Sequence, residues 1–237
     1  MVDLIKFEVP PSLKEMTWQA LRDAILTNQL HPKKIYKIDE LARGFGVSKT
    51  PVREALLDLA KQGFLTFLPR RGIQINSLDE KDIRDLYSFR IVMETAIIQN
   101  IAPTITEISM TQAEAINRSM KECIKNDDKI EYLRKDREIH LFLAELTGNK
   151  YLISALENIR DLIDWMGSRA LFRKERMAEV FAEHDKIIQM LKKRTNGKEA
   201  MRLMEEHIVI TMENVLNQLA SNNKDSHIIE EKNNDQK

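Results

Sequence analysis

Cysteine, glycine and proline are scarce in this sequence. The one cysteine, Cys123, cannot form an internal disulfide, which excludes a secreted scaffold held together by disulfides. Seven glycines and six prolines are too few for a loop-rich chain. The sequence also lacks a charged and then apolar leader and any apolar run long enough to span a bilayer, so we expect a cytoplasmic protein with no membrane partner.

The sequence is instead rich in charged and helix-forming residues, and the two signs of charge are unevenly distributed. Its net charge is zero, yet residues 1–76 contain 12 lysines and arginines against 8 acidic residues, and residues 77–237 contain 25 against 29. Between Lys33 and Arg71, nine basic residues face four acidic ones. This asymmetry indicates a module that binds a polyanion, joined to an acidic domain.

The first 76 residues show three helical segments and then two short strands. Apolar residues recur at helical spacing over 13–27, and shorter helices are predicted over 39–45 and 49–62. FLTFL and IQI then flank PRRG, whose proline and glycine favour a tight turn. Three helices followed by a hairpin predict a winged helix-turn-helix domain over 1–76.

The rest of the sequence indicates a bundle of helices, so the fold class is mainly α. Ser77 and Glu80 have the spacing of a capping box, which would begin a helix directly after the hairpin. We predict an all-α domain over 77–220, followed by a disordered tail over 221–237 that has no periodic apolar face. The predicted helices cover 78–100, 107–125, 128–147, 150–171, 174–194 and 198–219.

The stretch GVSKTPVREAL, over 46–56, begins the third helix. Pro51 falls in the first helical turn, where its missing N–H has no intrahelical partner to lose, and Ser48 or Thr50 would cap the helix. Lys49, Thr50 and Arg53 then point outward at the end from which recognition helices contact bases and phosphates. Alone the stretch is an ordinary solvated helix start, but with the preceding short helix and the two arginines of PRRG it predicts a helix in a DNA major groove.

The longer segment DELARGFGVSKTPVREALLDLAKQGFLTFLPRRGIQI resembles the DNA-binding domain of the GntR family of bacterial transcription regulators. Its LA, GVS, TPVREAL and P-x-R-G elements stand in the family's register. Lys49 stands where arginine is commoner, and Asn28 and Lys33 stand where the family often has glycines. The resemblance implies binding of a double-stranded DNA operator, with Ser48, Lys49, Thr50 and Arg53 at contacting positions and Gly72 at the wing tip. Further candidates for contact with DNA are Arg43, Arg70 and Arg71.

Three of the five histidines fall on apolar stripes of three different predicted helices. Asp136 precedes His140 by four residues, a spacing that lets both side chains ligate one ion. Each histidine alone is more simply a core residue, but the four residues together predict a site for Zn²⁺, Ni²⁺ or Mn²⁺. The apolar neighbours are Leu133 and Ala144 for His140; Met177, Val180, Phe181, Ile188 and Leu191 for His184; and Ala200, Leu203 and Ile210 for His207.

Arg90 also lies on an apolar stripe, in the first helix after the hairpin. A buried guanidinium needs an anion, and two interpretations stay open. One is an internal ion pair with Glu94, four residues on, and the other is a fork for a carboxylate or phosphate of a ligand beside the metal. Arg160 and Arg169 are weaker candidates for contact with such an effector on the same logic.

The C-terminal part resembles the effector domain of the FadR-type branch of the GntR family, the FCD domain. DREIHLFLAELTGN, EHDKII and EEHI carry this resemblance, and they contain Asp136, His140, His184 and His207. The resemblance implies a helical bundle that forms a homodimer, holds a divalent metal ion through these four residues and binds a small organic acid or sugar acid.

Taken together, these features predict a metabolite-responsive transcription regulator, more often a repressor in this family, whose homodimer binds an inverted-repeat operator. Three alternatives stay open. The Asp and His residues could serve a metal-dependent hydrolase, which the lack of an evident general base beside them disfavours. The protein could sense the metal itself without an organic effector, or the histidines could be plain core residues of a dimerisation module.

Overall fold

The computed structural model describes residues 10–170, 174–194 and 197–234, and within them the side chains of all residues except 166–170 and 222–234. The chain divides into two compact units between Ser77 and Leu78. The described residues are mostly helical and contain one small sheet, which confirms the predicted fold class.

The first unit has the elements of a winged helix-turn-helix. Two antiparallel pairings arrange its strands in the order β1-β3-β2. The strand β1 was not predicted, because two residues are too few to show an alternating pattern. The elements are α1 (Leu13–Leu26), β1 (Ile35–Tyr36), α2 (Ile38–Phe45), α3 (Lys49–Lys61), β2 (Leu65–Leu68) and β3 (Gly72–Ile75).

Buried apolar side chains hold α3 in place within this unit. Val52, Leu56 and Leu59 of α3 are fully buried, and α3 packs against α1, where Leu21 and Ile25 are fully buried as well. Each such side chain stabilises the fold by roughly 1.5–3 kcal/mol relative to its exposed state. The buried face leaves the opposite face of α3 exposed.

Three loop positions have backbone angles that explain their sequence. Asn28 and Lys33 have φ of 62° and 63°, the left-handed region, so they occupy positions that glycine would adopt without strain. Gly72 has φ of 120°, and a Cβ atom there would lie 2.2 Å from the carbonyl oxygen of Tyr36 in β1. Glycine is therefore required at residue 72 by the close approach of β1.

The second unit is a bundle of helices over its described residues, as predicted. Its helices are α4 (Glu80–Ile101), α5 (Glu107–Asn126), α6 (Lys129–Glu145), α7 (Lys150–Ala170), α8 (Lys174–Lys192) and α9 (Lys198–Asn234).

The bundle differs from the sequence prediction at its two ends. Asp79, not Ser77, is the N-cap of α4, and it forms a capping box with Asp82. An aspartate at this position is favoured because its charge also complements the positive helix end. At the other end α9 continues to Asn234, where a disordered tail was predicted over 221–237. A helix that has already formed adds residues at little cost and needs no apolar face to do so.

All six helices of the second unit contribute to its core. A large cluster includes Ile97 and Ile98 of α4 and Met204 and Ile208 of α9. In a second cluster, the Tyr132 hydroxyl of α6 donates to a backbone carbonyl at the start of α8, with an O···O distance of 2.7 Å. Among the described helices, none combines the length and hydrophobicity that crossing a bilayer requires.

Candidate functional site

The N-terminus of α3 presents polar side chains at the surface of the first unit. Ser48 is the N-cap by its backbone angles, but its hydroxyl makes no capping hydrogen bond, which differs from the predicted capping role. Lys49, Thr50 and Arg53 are exposed in the first turns. The hydroxyls and cations of this helix end are thus available to an external partner.

Lys49 has one ion-pair partner on the neighbouring helix. Its Nζ lies 2.8 Å from Oδ2 of Asp39 in α2, and the two side chains are 67% and 59% exposed. Arg43, also exposed, donates from Nε to the Asp39 carbonyl at 3.3 Å. An exposed ion pair stabilises a fold by about 1 kcal/mol or less. This pair is therefore too weak to keep Lys49 from a phosphate.

The turn between β2 and β3 carries two more exposed cations, Arg70 and Arg71. In the described part of the chain, neither they nor Arg53 have an ion-pair partner. Gly72, which was predicted at the wing tip, is the first residue of β3 and pairs with Leu68. Its contact with β1 gives this glycine a packing role.

The second unit brings the four predicted metal ligands together. Asp136 and His140 come from α6, His184 from α8 and His207 from α9. All four are buried, and one ligand atom from each lies within 4.8 Å of the others. These residues could hold a metal ion. The predicted apolar neighbours of His207 are only partly correct, because Ile210 is 39% exposed and the buried side of α9 instead includes Met204 and Ile208.

Two carboxylates outside this group of four bind the imidazole rings. Nδ1 of His140 contacts Oε2 of Glu94 in α4, and Nδ1 of His207 lies 2.6 Å from Oε2 of Glu183 in α8. Because a carboxylate only accepts hydrogen bonds, both Nδ1 atoms carry a proton, and Nε2 is the atom of each ring that could face a metal ion. Carboxylates orient metal-binding histidines in this way.

His184 is the fourth member of the group. Its Nε2 lies 3.4 Å from Nε2 of His207 and 3.8 Å from Oδ1 of Asp136. Burial lowers the pKa of His184 well below its usual value, and the neighbouring His207 lowers it further. Burial likewise lowers the pKa of His140 to about 4, despite the opposing effect of Glu94. Both rings are neutral at pH 7, the form in which imidazole ligates metals.

Asp136 is held as an anion by a buried arginine of α7. Arg160 donates from Nη2 to Oδ2 of Asp136 at 2.7 Å, which leaves Oδ1 facing His184. Burial alone would raise the pKa of Asp136, but Arg160 and the histidines hold it well below its usual range. A negative oxygen therefore lies beside neutral imidazoles at pH 7.

Arg90 forms an internal ion pair with Glu94, which was one of the two interpretations of its position in the sequence. Its Nε donates to Oε1 of Glu94 at 2.5 Å, and its Nη2 lies 3.0 Å from Nε2 of His140. All three side chains are buried. Arg90 thus contacts both a metal-ligand candidate and the carboxylate that orients it.

Arg160 has donors that remain unused. Its side chain is 0% exposed, and within the described residues its Nε and Nη1 atoms have no hydrogen-bond partner, nor does the Tyr87 hydroxyl. A small cavity adjoins this region, lined by residues that include Tyr87, Arg90, Asp136, Asp164, His207 and Thr211. The cavity has room for about one water molecule. The side chain of Arg169 lies outside the described residues.

Sequence reasoning missed the residues that support His207. Arg176 of α8 donates to Oε1 of Glu183 at 2.6 Å and to the Thr211 hydroxyl of α9 at 3.1 Å. Its side chain is 2% exposed. The signal in the sequence was the spacing of Arg176 and Glu183, seven residues or two helical turns, which puts both on one face.

Two family models match the chain. The FCD domain matches residues 85–209, more than half of the chain, and the bacterial regulatory proteins of the gntR family match residues 13–75. The helix α3 lies in the second match, and all four Asp and His residues lie in the first.

Several curated proteins are similar over most of their length. The HTH-type transcriptional regulator YdhC of Bacillus subtilis is 28% identical over 202 residues, 85% of this chain and 89% of its own length. The gluconate operon transcriptional repressor of Bacillus licheniformis is 27% identical over 168 residues, 71% and 68% of the two chains. The HTH-type transcriptional repressor RspR of Escherichia coli K12 is 24% identical over 213 residues, 90% and 92%.

Solved structures show the same fold. McbR/YncC of E. coli superimposes with a TM-score of 0.74 at 16% identity, covering 89% of this chain and 100% of that one. A GntR transcriptional regulator of Rhodococcus sp. RHA1 gives 0.72 at 18% identity, covering 87% and 99%. The domain matches and the similar regulators agree with the winged helix and the helical bundle described above. The chain therefore belongs to the GntR family of bacterial regulatory proteins and is a transcription regulator with an FCD domain, not an enzyme.

Proposed function

We propose that this regulator binds an inverted-repeat operator as a homodimer in the bacterial cytoplasm, and that a small organic acid bound beside a divalent metal ion controls its affinity for DNA. The observation that carries the proposal is the convergence of Asp136, His140, His184 and His207 next to unused donors of Arg160. Repression is the proposed outcome, in line with the names of two similar proteins.

The first unit supports the DNA-binding part of the proposal. In it, α3 enters the major groove with Lys49, Thr50 and Arg53 near base edges and phosphates, and Arg43 and Ser48 add backbone contacts. Arg70 and Arg71 contact the minor groove or phosphates from the wing. Because these contacts release counterions, operator affinity falls steeply with salt.

The donor set supports a divalent metal. Three imidazoles and one carboxylate suit Zn²⁺, Ni²⁺ or Mn²⁺, and Glu94 and Glu183 already orient two of the rings. When bound, the metal would supply a Lewis-acidic centre that attracts an anionic oxygen.

Arg160 and Arg90 support an anionic effector. A fully buried guanidinium with two unused donors is costly unless an acceptor reaches it, and a carboxylate is the natural partner for its fork. The name of the gluconate operon repressor favours a sugar acid or a similar organic acid. The cavity must enlarge to admit such a ligand, and the effector can act as a switch only if it binds one state of the protein more tightly than the other.

An apolar patch on α4 supports the homodimer. Phe89 and Val92 lie almost one turn apart and are 48% and 69% exposed. A second copy of the chain that covers this patch would bury it, and a two-fold dimer matches an inverted-repeat operator. Changing Val92 to Glu should then shift the protein towards monomer in sedimentation velocity, whereas Ile130→Glu on α6 should not.

Footprinting of the protein on its own promoter region tests the proposed function. Metal-loaded protein should protect one inverted repeat at moderate salt, and a panel of sugar acids and small carboxylic acids should contain at least one that changes the affinity about 5-fold or more. Absence of a preferred site with and without these acids would contradict the proposal.

A second candidate function is that of a metal sensor without an organic effector. The small cavity favours it, because a metal ion needs less space than an organic acid. Operator affinity that follows metal concentration in the absence of any carboxylic acid, and that the acids do not alter, would identify this function.

A further inference from the structure

The guanidinium of Arg90 lies against the one nitrogen of His140 that could bind a metal. Its Nη2 atom is 3.0 Å from Nε2 of His140, and its Nε donates a hydrogen bond to Oε1 of Glu94 at 2.5 Å. Glu94 in turn contacts Nδ1 of the same ring. The three side chains form a closed and buried triangle of hydrogen bonds.

The geometry of this triangle fixes the direction of each bond. A guanidinium only donates hydrogen bonds and a carboxylate only accepts them. Nδ1 of His140 must therefore carry the proton that Glu94 accepts, and Nε2 must supply the lone pair that Arg90 uses. That lone pair is the one with which His140 would ligate a metal ion.

We propose that Arg90 competes with the metal ion for Nε2 of His140, and that metal binding frees the Nη2 donor of Arg90 for the anionic effector. The inference rests on the proposed function and deepens it, because it assigns an order to the two ligands. Metal binds first, and the effector then accepts the hydrogen bond that His140 has given up. Each ligand thereby strengthens the binding of the other.

Two features of the site support this role for Arg90. One lone pair cannot serve both a metal ion and a hydrogen-bond donor, so the hydrogen bond from Arg90 to His140 must break when the metal binds. The ion pair with Glu94 keeps the guanidinium in place, so the freed donor stays buried and needs a new acceptor. An effector carboxylate near the metal would meet that need.

Arg160 provides a contrast within the same site. It donates to Oδ2 of Asp136 and leaves Oδ1 towards His184. A metal ion can bind Oδ1 without displacing Arg160. Of these two arginines, only Arg90 therefore has to give up a bond to a ligand atom.

Titration of metal-free protein with Zn²⁺ or Ni²⁺ alone tests the competition. The variant Arg90→Lys keeps the positive charge, and its shorter side chain reaches Glu94 without spanning to His140. It should bind the metal about 10-fold to 150-fold more tightly than the wild type, the range for loss of a charged hydrogen bond that competes. Arg84→Lys, at an exposed position of the same helix, should bind as the wild type does.

The outcomes separate the inference from the proposed function. If Arg90→Lys binds metal no more tightly than the wild type, the competition is wrong even though the metal site exists. If metal affinity rises in Arg90→Met but not in Arg90→Lys, the effect comes from the positive charge of Arg90 and not from its hydrogen bond. That result would also overturn the competition. If none of the proteins binds metal, the proposed function fails as well.

Two further measurements test the inference independently. In metal-free wild-type protein, ¹⁵N NMR should show His140 protonated at Nδ1, and protonation at Nε2 would overturn the proposal without any variant. With acetate as the probe anion in place of chloride, metal affinity should rise more in the wild type than in Arg90→Lys, by about 5-fold or more. Equal gains would overturn the release of the donor to the anion.

Discussion

The charged side chains of the two candidate sites differ in burial: those of the DNA-binding candidate in the first unit lie at the surface, and those around the metal-site candidate in the second unit lie in the interior. The ion pair of Lys49 and Asp39 leaves more than half of each side chain exposed, whereas Arg90 and Glu94 are 2% and 3% exposed. The exposed cations can exchange a weak internal partner for a phosphate. The buried ones are fixed, because each has been removed from water and depends on its partner.

The difference shows how one chain separates two tasks. Contact with DNA requires charges that are accessible and tolerant of substitution one at a time, since many phosphate contacts share the binding energy. A metal and anion site requires groups that are oriented in advance, and burial among opposite charges provides that orientation. Four experiments can contradict or refine this comparison.

The largest effect is expected from breaking one ion pair in each unit. Asp136→Asn removes the charge that faces buried Arg160, so the free energy of unfolding of metal-free protein should fall by about 3–5 kcal/mol in urea. Asp39→Asn, which breaks the exposed pair with Lys49, should cost about 1 kcal/mol or less. Equal losses in the two variants would remove the distinction between the units.

Loss of a ligand is expected to have the next largest effect. His184→Ala should lower Zn²⁺ affinity by more than the roughly 100-fold that loss of an outer carboxylate can cost, as measured by competition with a chelator. His31→Ala, at an exposed position of the first unit, is the matched control and should leave metal affinity unchanged. Unchanged affinity in His184→Ala would place the metal elsewhere.

A smaller effect is expected at the DNA surface. Arg53→Ala should weaken operator binding by about 1–3 kcal/mol if Arg53 contacts a base edge, with no change in metal content. Lys61→Ala, at the other end of α3, should bind the operator nearly as well as the wild type. Gel shifts at several salt concentrations would measure both, and equal losses would argue against a recognition role for the N-terminus of α3.

The smallest effect is expected from mild acid. The pKa of His140 is lowered from 6.5 to about 4 in the folded protein, so between these values the unfolded chain binds a proton that the native site does not. The contribution of His140 to the free energy of unfolding is therefore fully present above pH 6.5 and is lost as the pH falls towards 4. For His140 alone the loss between about pH 7.5 and about pH 5.5 is roughly 1 kcal/mol, and His184 should add to it.

Tryptophan fluorescence can assign this loss to one unit, because the sequence has two tryptophans, Trp18 in the first unit and Trp165 in the second. In Trp18→Phe, urea unfolding of the second unit should show the loss. In Trp165→Phe, the first unit, whose sole histidine His31 is exposed, should change less. A larger loss in the first unit would contradict the buried histidines as its cause.

The parts of the fold that depend on local sequence could be predicted. The start of α3 follows from a proline in the first turn, and its buried face follows from the spacing of Val52, Leu56 and Leu59. The burial of three histidines on three helices also followed from apolar spacing. The direction in which each imidazole faces could not be derived from spacing, although the family resemblance pointed to the same four residues.

The carboxylates that contact the histidines come from segments distant in the sequence. Residue spacing within one helix does not show which distant segments pack together. Glu94 was considered only for Arg90 on its own helix, yet it also orients His140, 46 residues away. Glu183 contacts His207, 24 residues away, and it stands beside the apolar stripe that drew attention to His184. The helical period shows which residues share one face of a helix. Which residues of another helix they contact depends on how the helices pack.

The approach of Gly72 to Tyr36 has a consequence for how this DNA-binding unit can diversify. The backbone of β1 occupies the space that a side chain at residue 72 would need. The positions of β1 and of the start of β3 therefore depend on each other. Insertions that lengthen the wing at its tip leave this junction intact, whereas any that move residue 72 displace the first strand as well. Relatives with new operator preferences should therefore vary around Arg70 and Arg71 while the glycine stays.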